Sequence, residues 1–302
     1  MRASVLPIAA ATTAGSGPAE AERGPSPDEV AAARRALRAL LVEAPAANQY
    51  LLHRLERAEA GDVPAELVER WVGVHDGAAL VTAALVRRSA PGEPATMCCP
   101  AGAAEGGHPL GARIALEGGA LIMVGPRAVT DACWWGMGRP PFRVAFDQRL
   151  WVAGAPSAGP TLPVGPAMRA DLDALVEMEL GMLAEDLGIS PDRVDLEILE
   201  ERVLQRIEAG KVVVSRPPKG PPVFTIDVAR CGPSGAQLGG TYVSPAWRGH
   251  GICARAVRSL LGLLHAEGRL TTLHVNEANE AAWRSYAKAG FVEDEPFRLF
   301  SV

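Results

Sequence analysis

Apolar residues recur at helical or strand spacing along most of this 302-residue chain, and the predicted elements fall into two halves. In the first half, apolar positions three and four residues apart predict helices over 27–42 and 46–59. An Asp-Gly turn between two apolar runs predicts a hairpin over 71–86. The other elements predicted in this half are a strand over 120–124, a helix over 129–137 and a strand over 142–152.

The second half has a more regular order of predicted elements. Helices are predicted over 170–187, 196–209, from the glycines after residue 248 to about Gly268, and over 279–289. Strands are predicted over 212–215, 223–229, 236–243, 271–275 and 291–300. Helices followed by strands, and then strands alternating with helices, indicate one domain built on a mixed sheet of about six strands. The sequence therefore predicts a mixed α/β (α+β) fold.

Composition suggests where the domains end. A Gly-, Ala- and Pro-rich stretch over 154–167 indicates a linker between a domain at 29–153 and a domain at 168–302. Residues 1–28 are rich in Ala, Gly, Pro, Ser and Thr, and we expect a disordered tail there. The apolar run from Val5 to Ala11 is interrupted by Pro7 and barely reaches the minimum length of about seven residues for the core of a signal peptide, so a disordered tail is the preferred interpretation.

Charge and cysteine content limit the function classes. Hydrophobic residues make up 48% of the chain, charged residues 22%, and the net charge is −5, which is typical of a soluble globular protein and gives no basic surface for nucleic acid or membrane. Five scattered cysteines, an odd number, predict a reducing cytoplasm and no disulfide framework. Cys98, Cys99 and His108 lack the spacing of zinc ligands, so no metal is expected.

The segment from Val243 to Ala254 carries the clearest chemical signal. It is predicted to run from the end of a strand through a Pro turn and a glycine-containing loop into the first turn of a helix. Free backbone N–H groups and the positive end of a helix dipole then meet at one point, where an anion can bind. Glycines allow a ligand phosphate to approach the backbone closely.

Two spaced motifs give this segment a family resemblance. The first is Arg248-x-x-Gly251-x-Cys253 after a strand ending in Tyr242-Val243, and the second is Asn279, Ala282, Tyr286 and Gly290-Phe291. With these motifs, residues 168–302 resemble the GNAT superfamily of N-acetyltransferases, and more specifically bacterial members with a divergent N-terminal domain. Cys253 stands where that family usually has Gly or Ala.

The resemblance implies the GNAT fold and a binding site for acetyl-CoA between two splayed parallel strands, 236–243 and 271–275. Backbone groups left unpaired by the splay would bind the pantetheine arm, and the glycine loop would hold the pyrophosphate. The residues implied in cofactor binding are Thr241, Tyr242, Val243, Arg248, Gly249, His250, Gly251, Ile252, Cys253, Ala254, Asn279 and Ala282.

The same resemblance assigns the chemistry. Tyr286 is the expected general acid, since a phenol with a pKa of ~10 is protonated at neutral pH and can donate to the leaving CoA thiolate. An ammonium acceptor with a pKa of ~10.4 must lose a proton. By analogy with the family, Glu185 and Asp186 are the best-placed carboxylates, with Glu185 as the expected base and Asp227 and Glu277 as alternatives. Cys253 is expected to pack below the cofactor, because acetyl transfer in this family is direct.

We therefore expect an acetyl-CoA-dependent N-acetyltransferase that acetylates a primary amine of a small molecule or peptide in a ternary complex. Two alternatives remain open: an acyltransferase using another acyl-CoA, and a non-catalytic acyl-CoA sensor. The N-terminal region is interpreted as a divergent α/β domain, and one interpretation of it is a degenerate copy of the same fold that does not bind its own cofactor.

Overall fold

A computed structural model describes residues 1–8, 24–62, 68–90, 93–232 and 235–301. The chain divides into two compact units, Met1–Arg149 with the chain end from Glu295, and Leu150–Asp294. The predicted boundaries differ, because they placed residues 154–167 in a linker and the chain end in the second domain. In the structure the first stretch belongs to the second unit, and the chain end pairs with a strand of the first.

The first unit contains both helices and strands. Its elements are β1 (Arg2–Leu6), α1 (Pro27–Val42), α2 (Gln49–Glu59), β2 (Val68–Asp76), β3 (Ala79–Arg88), β4 (Met97–Gly102), α3 (Gly107–Leu116), β5 (Ile122–Pro126), α4 (Arg127–Gly136) and the start of β6 (Val144–Ala153). Helix α1 has the predicted bounds because Ser26 and Glu29 form a capping box around a Pro at its first position. Neither β4 nor α3 was predicted.

The expectation of a disordered tail over 1–28 is wrong at its start. Strand β1 pairs antiparallel with β2, from Arg2 opposite His75 to Leu6 opposite Trp71. Leu6 and Ile8 are buried in the core with helices α1 and α2, so their apolar surface holds the strand in place. The part of that tail at residues 9–23 lies outside the described residues.

Neighbouring strands of the first unit follow the order β1-β2-β3-β4-β5, and residues 297–301 pair antiparallel with β5. Strands β4 and β5 are parallel and share the register pair Cys98 and Met123. The helix that follows β4 packs tightly, since a Cβ on Gly111 would lie 1.8 Å from the Cys133 carbonyl oxygen of α4. Cys98, Cys99 and Cys133 are buried in the cores of this unit.

The second unit repeats the same succession of elements. It contains the end of β6, then β7 (Gly165–Pro166), α5 (Leu172–Leu187), α6 (Leu196–Glu208), β8 (Val212–Ser215), β9 (Phe224–Gly232), β10 (Gly235–Val243), α7 (Ile252–Ala266), β11 (Thr271–Asn276), α8 (Glu280–Ala289) and the start of β12 (Phe291–Ser301). The strand order is β11-β10-β9-β8-β7, with the end of β6 beside β11. The mixed α/β fold is confirmed, and the predicted elements of this half differ from the observed ones by at most three residues at their ends.

The two central strands of the second unit separate along their length. Strands β10 and β11 are parallel and pair from Ala236 opposite Thr271 to Leu238 opposite Leu273, where the ladder ends. Beyond that point β10 has a bulge against β9, between Gly239 and Tyr242, and Gly240 takes a positive φ of 56°. A bulge inserts one residue and changes which face of the sheet the following side chains reach.

Two apolar cores show the effect of this bulge. Ala236 and Leu238 of β10 lie in the core with α7 and α8, whereas Tyr242 lies in the core with α5 and α6. Without the extra residue, positions 236, 238 and 242 would face the same side. The bulge therefore presents Tyr242 to α5 at the place where the strands part.

Candidate active site

The glycine loop of the second unit forms an open anion site. A 3₁₀ turn over Pro245–Trp247 leads into Arg248, and α7 begins at Ile252 with Gly251 as its N-cap. Gly249 and Gly251 have φ values of 78° and 68°, which non-glycine residues rarely adopt. A Cβ on Gly249 would meet nothing within 4 Å. The backbone at Gly249 therefore has room for a phosphate beside it, next to the first turn of α7, where N–H groups have no partner within the helix.

The side chains after Gly251 turn away from this opening. Ile252 and Ala254 are buried in the unit, each 7% exposed. Cys253 packs against the core between the sheet and the helices α7 and α8. Burial raises the pKa of the Cys253 thiol to about 12, against a weaker opposing effect of a hydrogen bond from Ser285. The thiol stays protonated at neutral pH and packs against the core, and its expected place below a cofactor stays a prediction.

Thr241, Tyr242 and Val243 lie beside the separation of the two central strands. On one side, Tyr242 and Val243 pair with Thr225 and Phe224 of β9. On the other side, the parallel ladder with β11 has already ended at Leu238. An extended ligand can add to a strand edge of this kind through main-chain hydrogen bonds.

Tyr286 of α8 lies near Thr241, beside the separation of the two central strands. Its side chain is 6% exposed, and its ring packs edge-on against Phe291 with the ring centres 6.0 Å apart. Burial raises the pKa of Tyr286 above its ordinary value, and the charge of Asp186 acts in the same direction, while a hydrogen bond with the Thr241 side chain opposes it. Tyr286 therefore keeps its proton at neutral pH.

Asn279 has a structural role at the start of α8. Its Oδ1 accepts a hydrogen bond from the Ala282 N–H at 3.1 Å, which makes it the N-cap of the helix. Ala282 is partly buried against the core. The expected contact of both residues with a cofactor stays a prediction.

Arg248 and Glu185 contact each other in the structure. The Arg248 Nη2 donates to Glu185 Oε1 at 3.0 Å, and the Tyr242 hydroxyl donates to the same oxygen at 2.9 Å. The hydrogen bond from Arg248 holds the pKa of Glu185 below its ordinary value, and that from Tyr242 adds to the effect. His250 is exposed, and its Nδ1 lies 2.8 Å from the Arg248 carbonyl oxygen.

The other candidate bases have different surroundings. Asp186 is exposed to solvent, yet partial burial of its carboxylate and the charge of Glu185 raise its pKa. Burial also raises the pKa of Asp227, whose carboxylate is bound by Arg206. Glu277 lies in the turn between β11 and α8.

The described ranges offer neither a cluster of metal ligands nor a helix that could span a membrane. No group of three or more His, Cys, Asp or Glu side chains in these ranges is arranged to hold a metal ion. None of the helices in the same ranges combines the length and apolar character needed to cross a membrane.

Known proteins resemble this chain in sequence over part of its second half and in fold over most of its length. Residues 210–291 match the family model described as Acetyltransferase (GNAT) family. A GCN5-related N-acetyltransferase from Sphaerobacter thermophilus shares 17% identity and a TM-score of 0.54, over 91% of this chain and 93% of that one. An acetyltransferase of the GNAT family from Colwellia psychrerythraea shares 16% identity and a TM-score of 0.51, over 77% of this chain and 85% of that one. No curated protein matches the chain. At these identities the structures show the fold, and the predicted GNAT fold is confirmed.

Proposed function

We propose that this chain, which carries a GNAT acetyltransferase domain over residues 210–291, transfers an acetyl group from acetyl-CoA to a primary amine. The acceptor is a small molecule or a peptide, and attack is direct, within a ternary complex. The strongest support is that three features lie together: the open glycine loop, the separated strands β10 and β11, and the protonated Tyr286 hydroxyl.

The residues around the glycine loop fit acetyl-CoA. The N–H groups of residues 249–254 would hold the pyrophosphate, since the glycines leave the space before them open. The edge of β10 at Thr241, Tyr242 and Val243 would hold the pantetheine amides. Acetyl-CoA supplies an acyl group activated as a thioester, which a neutral amine attacks.

Tyr286 is suited to act as the general acid. The apolar surroundings of the ring raise the pKa of the Tyr286 hydroxyl, so the proton stays on Oη at neutral pH. The hydroxyl can therefore donate its proton to the departing sulfur when the bond to carbon breaks.

Asp186 is better suited than Glu185 to act as the base. Glu185 accepts two hydrogen bonds on one oxygen and has a lowered pKa, so its carboxylate holds a proton weakly. Asp186, the next residue of α5, has a raised pKa, and its charge acts on Tyr286. A base whose pKa lies closer to the working pH takes the ammonium proton more readily. We therefore assign Asp186 as the general base that removes the proton of the attacking amine.

The test is release of free thiol from acetyl-CoA in the presence of an amine library. We expect acceptor-dependent thiol release with at least one primary amine, and mass spectrometry should show the acceptor heavier by one acetyl group. Tight binding of acetyl-CoA with no release for any acceptor would favour the sensor. Thiol release only when a longer acyl-CoA replaces acetyl-CoA would favour the alternative of an acyltransferase that uses another acyl-CoA. The odd number of scattered cysteines supports a reducing cytoplasm as the site of the reaction.

A further inference from the structure

Three side chains connect the start of the glycine loop to helix α5, and we name them the Glu185–Arg248–Tyr242 cluster. Arg248 donates from Nε to the Val243 carbonyl oxygen at 3.0 Å and from Nη2 to Glu185 Oε1 at 3.0 Å. Its guanidinium carbon also lies 4.9 Å from the centre of the Tyr242 ring. Arg248 is therefore held by a backbone acceptor, a carboxylate and an aromatic face at once.

Tyr242 fixes the other end of this cluster. It is 8% exposed in the core of α5 and α6, and its hydroxyl donates to Glu185 at 2.9 Å. A Cβ on Gly181 would lie 2.4 Å from that hydroxyl oxygen, so α5 approaches the strand closely because residue 181 is a glycine. Gly181 and Glu185 are four residues apart and lie on one face of α5. The carboxylate is thus placed by the packing of the helix against the bulged strand.

Arg248 lies directly before the flexible part of the glycine loop. Arg248 is the residue before Gly249 and the last before the two glycines with positive φ. Glycine backbones have many accessible conformations, and each must be fixed for the loop N–H groups to converge on one anion. Holding Arg248 from three sides fixes one end of this flexible stretch, and the start of α7 fixes the other.

We infer that the Glu185–Arg248–Tyr242 cluster preorganises the glycine loop for acyl-CoA, with Glu185 as a positioning residue and not the base. This inference rests on the proposed function, because it takes the ligand of the loop to be acyl-CoA. It adds that a carboxylate of helix α5 controls affinity for the cofactor. It also predicts that Glu185 acts on binding more than on turnover.

The test is the variant Glu185→Gln, with CoA and acetyl-CoA binding measured by titration calorimetry. The side chains of Arg248 and Glu185 are 42% and 46% exposed, so their ion pair contributes modestly. We expect CoA to bind about twofold to fivefold more weakly, the range for loss of an exposed ion pair. The Michaelis constant for acetyl-CoA should rise by the same factor, and kcat should fall by less.

The matched control is Glu177→Gln, which removes the same charge from an exposed position of the same helix and should leave CoA affinity unchanged. Tyr242→Phe keeps the ring below Arg248 and removes one hydrogen bond to Glu185, so it should give a smaller loss of affinity. Arg248→Lys keeps the charge and removes the Nε bond to Val243, so it should weaken CoA binding at least as much as Glu185→Gln. Thermal unfolding of each variant checks that it is folded.

Three results would overturn the inference. Unchanged CoA affinity in Glu185→Gln would leave the proposed function intact and reject the positioning role. A fall in kcat of about a hundredfold or more with unchanged CoA affinity would make Glu185 the base instead. Failure of the unmodified protein to bind CoA at all would reject the proposed function as well, so the two failures can be told apart.

Discussion

At the scale of single residues, burial moves the pKa values of Tyr286 and Asp186 upward with different consequences. For Tyr286 the shift keeps the hydroxyl protonated well above neutral pH, as a proton donor requires. For Asp186 it brings a carboxylate closer to neutral pH, where it can accept a proton. Glu185, one residue earlier, is shifted the other way because Arg248 and Tyr242 donate to it.

Replacing Tyr286 by Phe tests the acid. The ring stays in its packing against Phe291, and only the hydroxyl is lost. We expect kcat to fall about a hundredfold or more, the usual contribution of general-acid catalysis, and CoA affinity to change by less than about twofold. Kinetics combined with calorimetry would show this. Equal losses in turnover and affinity, or no loss of either, would contradict the assignment.

Replacing Asp186 by Asn tests the base and has a predictable effect on stability. A carboxyl whose folded-state pKa lies above its unfolded value destabilises the folded protein once pH exceeds the unfolded value, near 3.8. Asp186→Asn should therefore unfold at a slightly higher temperature than the unmodified protein at pH 7, on the order of 1 °C. The difference should shrink as pH falls toward 4.

The same variant should lose about a hundredfold or more in kcat if Asp186 takes the amine proton. Asp192→Asn, at an exposed position after α5, is the control. It should leave both kcat and the unfolding temperature at pH 7 unchanged. Calorimetric melting curves between pH 4 and 7, together with kcat, give the readout. Full activity in Asp186→Asn would return the role of base to another group.

At the scale of elements, helix α7 has one glycine at its start and one in its interior, and only the first is required by the backbone conformation. Gly251 is the N-cap of α7 and takes a left-handed conformation. Gly262 lies inside the same helix, and a Cβ there would meet nothing within 4 Å. One glycine is required by its backbone conformation, whereas the other only adds freedom to the unfolded chain.

These two glycines form a matched pair for mutagenesis. Gly251→Val places a β-branched side chain at positive φ, beside the N–H groups proposed to hold the pyrophosphate, so CoA binding should weaken at least about tenfold. Gly262→Ala should stabilise the protein by about 0.5–1 kcal/mol and leave CoA affinity unchanged. Calorimetry and thermal unfolding would measure both. A Gly251→Val variant that binds CoA normally would exclude the loop as the phosphate site.

At the scale of the whole molecule, the two units have the same succession of elements. They differ in the space available at the start of the corresponding helices, α7 in the second unit and α3 in the first. In the second unit a Cβ on Gly249 would meet nothing within 4 Å, and one on Gly251 would meet Arg255 Cδ at 4.0 Å, an ordinary van der Waals distance. In the first unit a Cβ on Gly107, at the start of α3, would lie 2.6 Å from the Cβ of Ala132, and one on Gly106 would lie 2.1 Å from the Thr82 hydroxyl oxygen. The start of α3 is thus closed by its own packing.

We therefore predict that one chain binds one CoA. Titration calorimetry should give a stoichiometry near one, because the space before α3 is filled by neighbouring atoms and the space before α7 is open. Gly251→Val should remove this single binding event. Two CoA molecules for each chain, or a second event that persists in Gly251→Val, would show that the first unit also has a working site.

The sequence by itself determined the elements whose signals are local. Capping residues and apolar spacing set α1 at Pro27–Val42, and the glycine loop was visible because turns and helix starts depend on neighbouring residues. Tertiary structure alone decided pairings between distant residues: β1 depends on a partner about seventy residues away, and Arg248 meets Glu185 across 63 residues. Helix α3 carries glycines and a proline that weaken its local signal, so only its packing on α4 shows why it forms. Local patterns encode conformation, whereas the fold decides which charges meet.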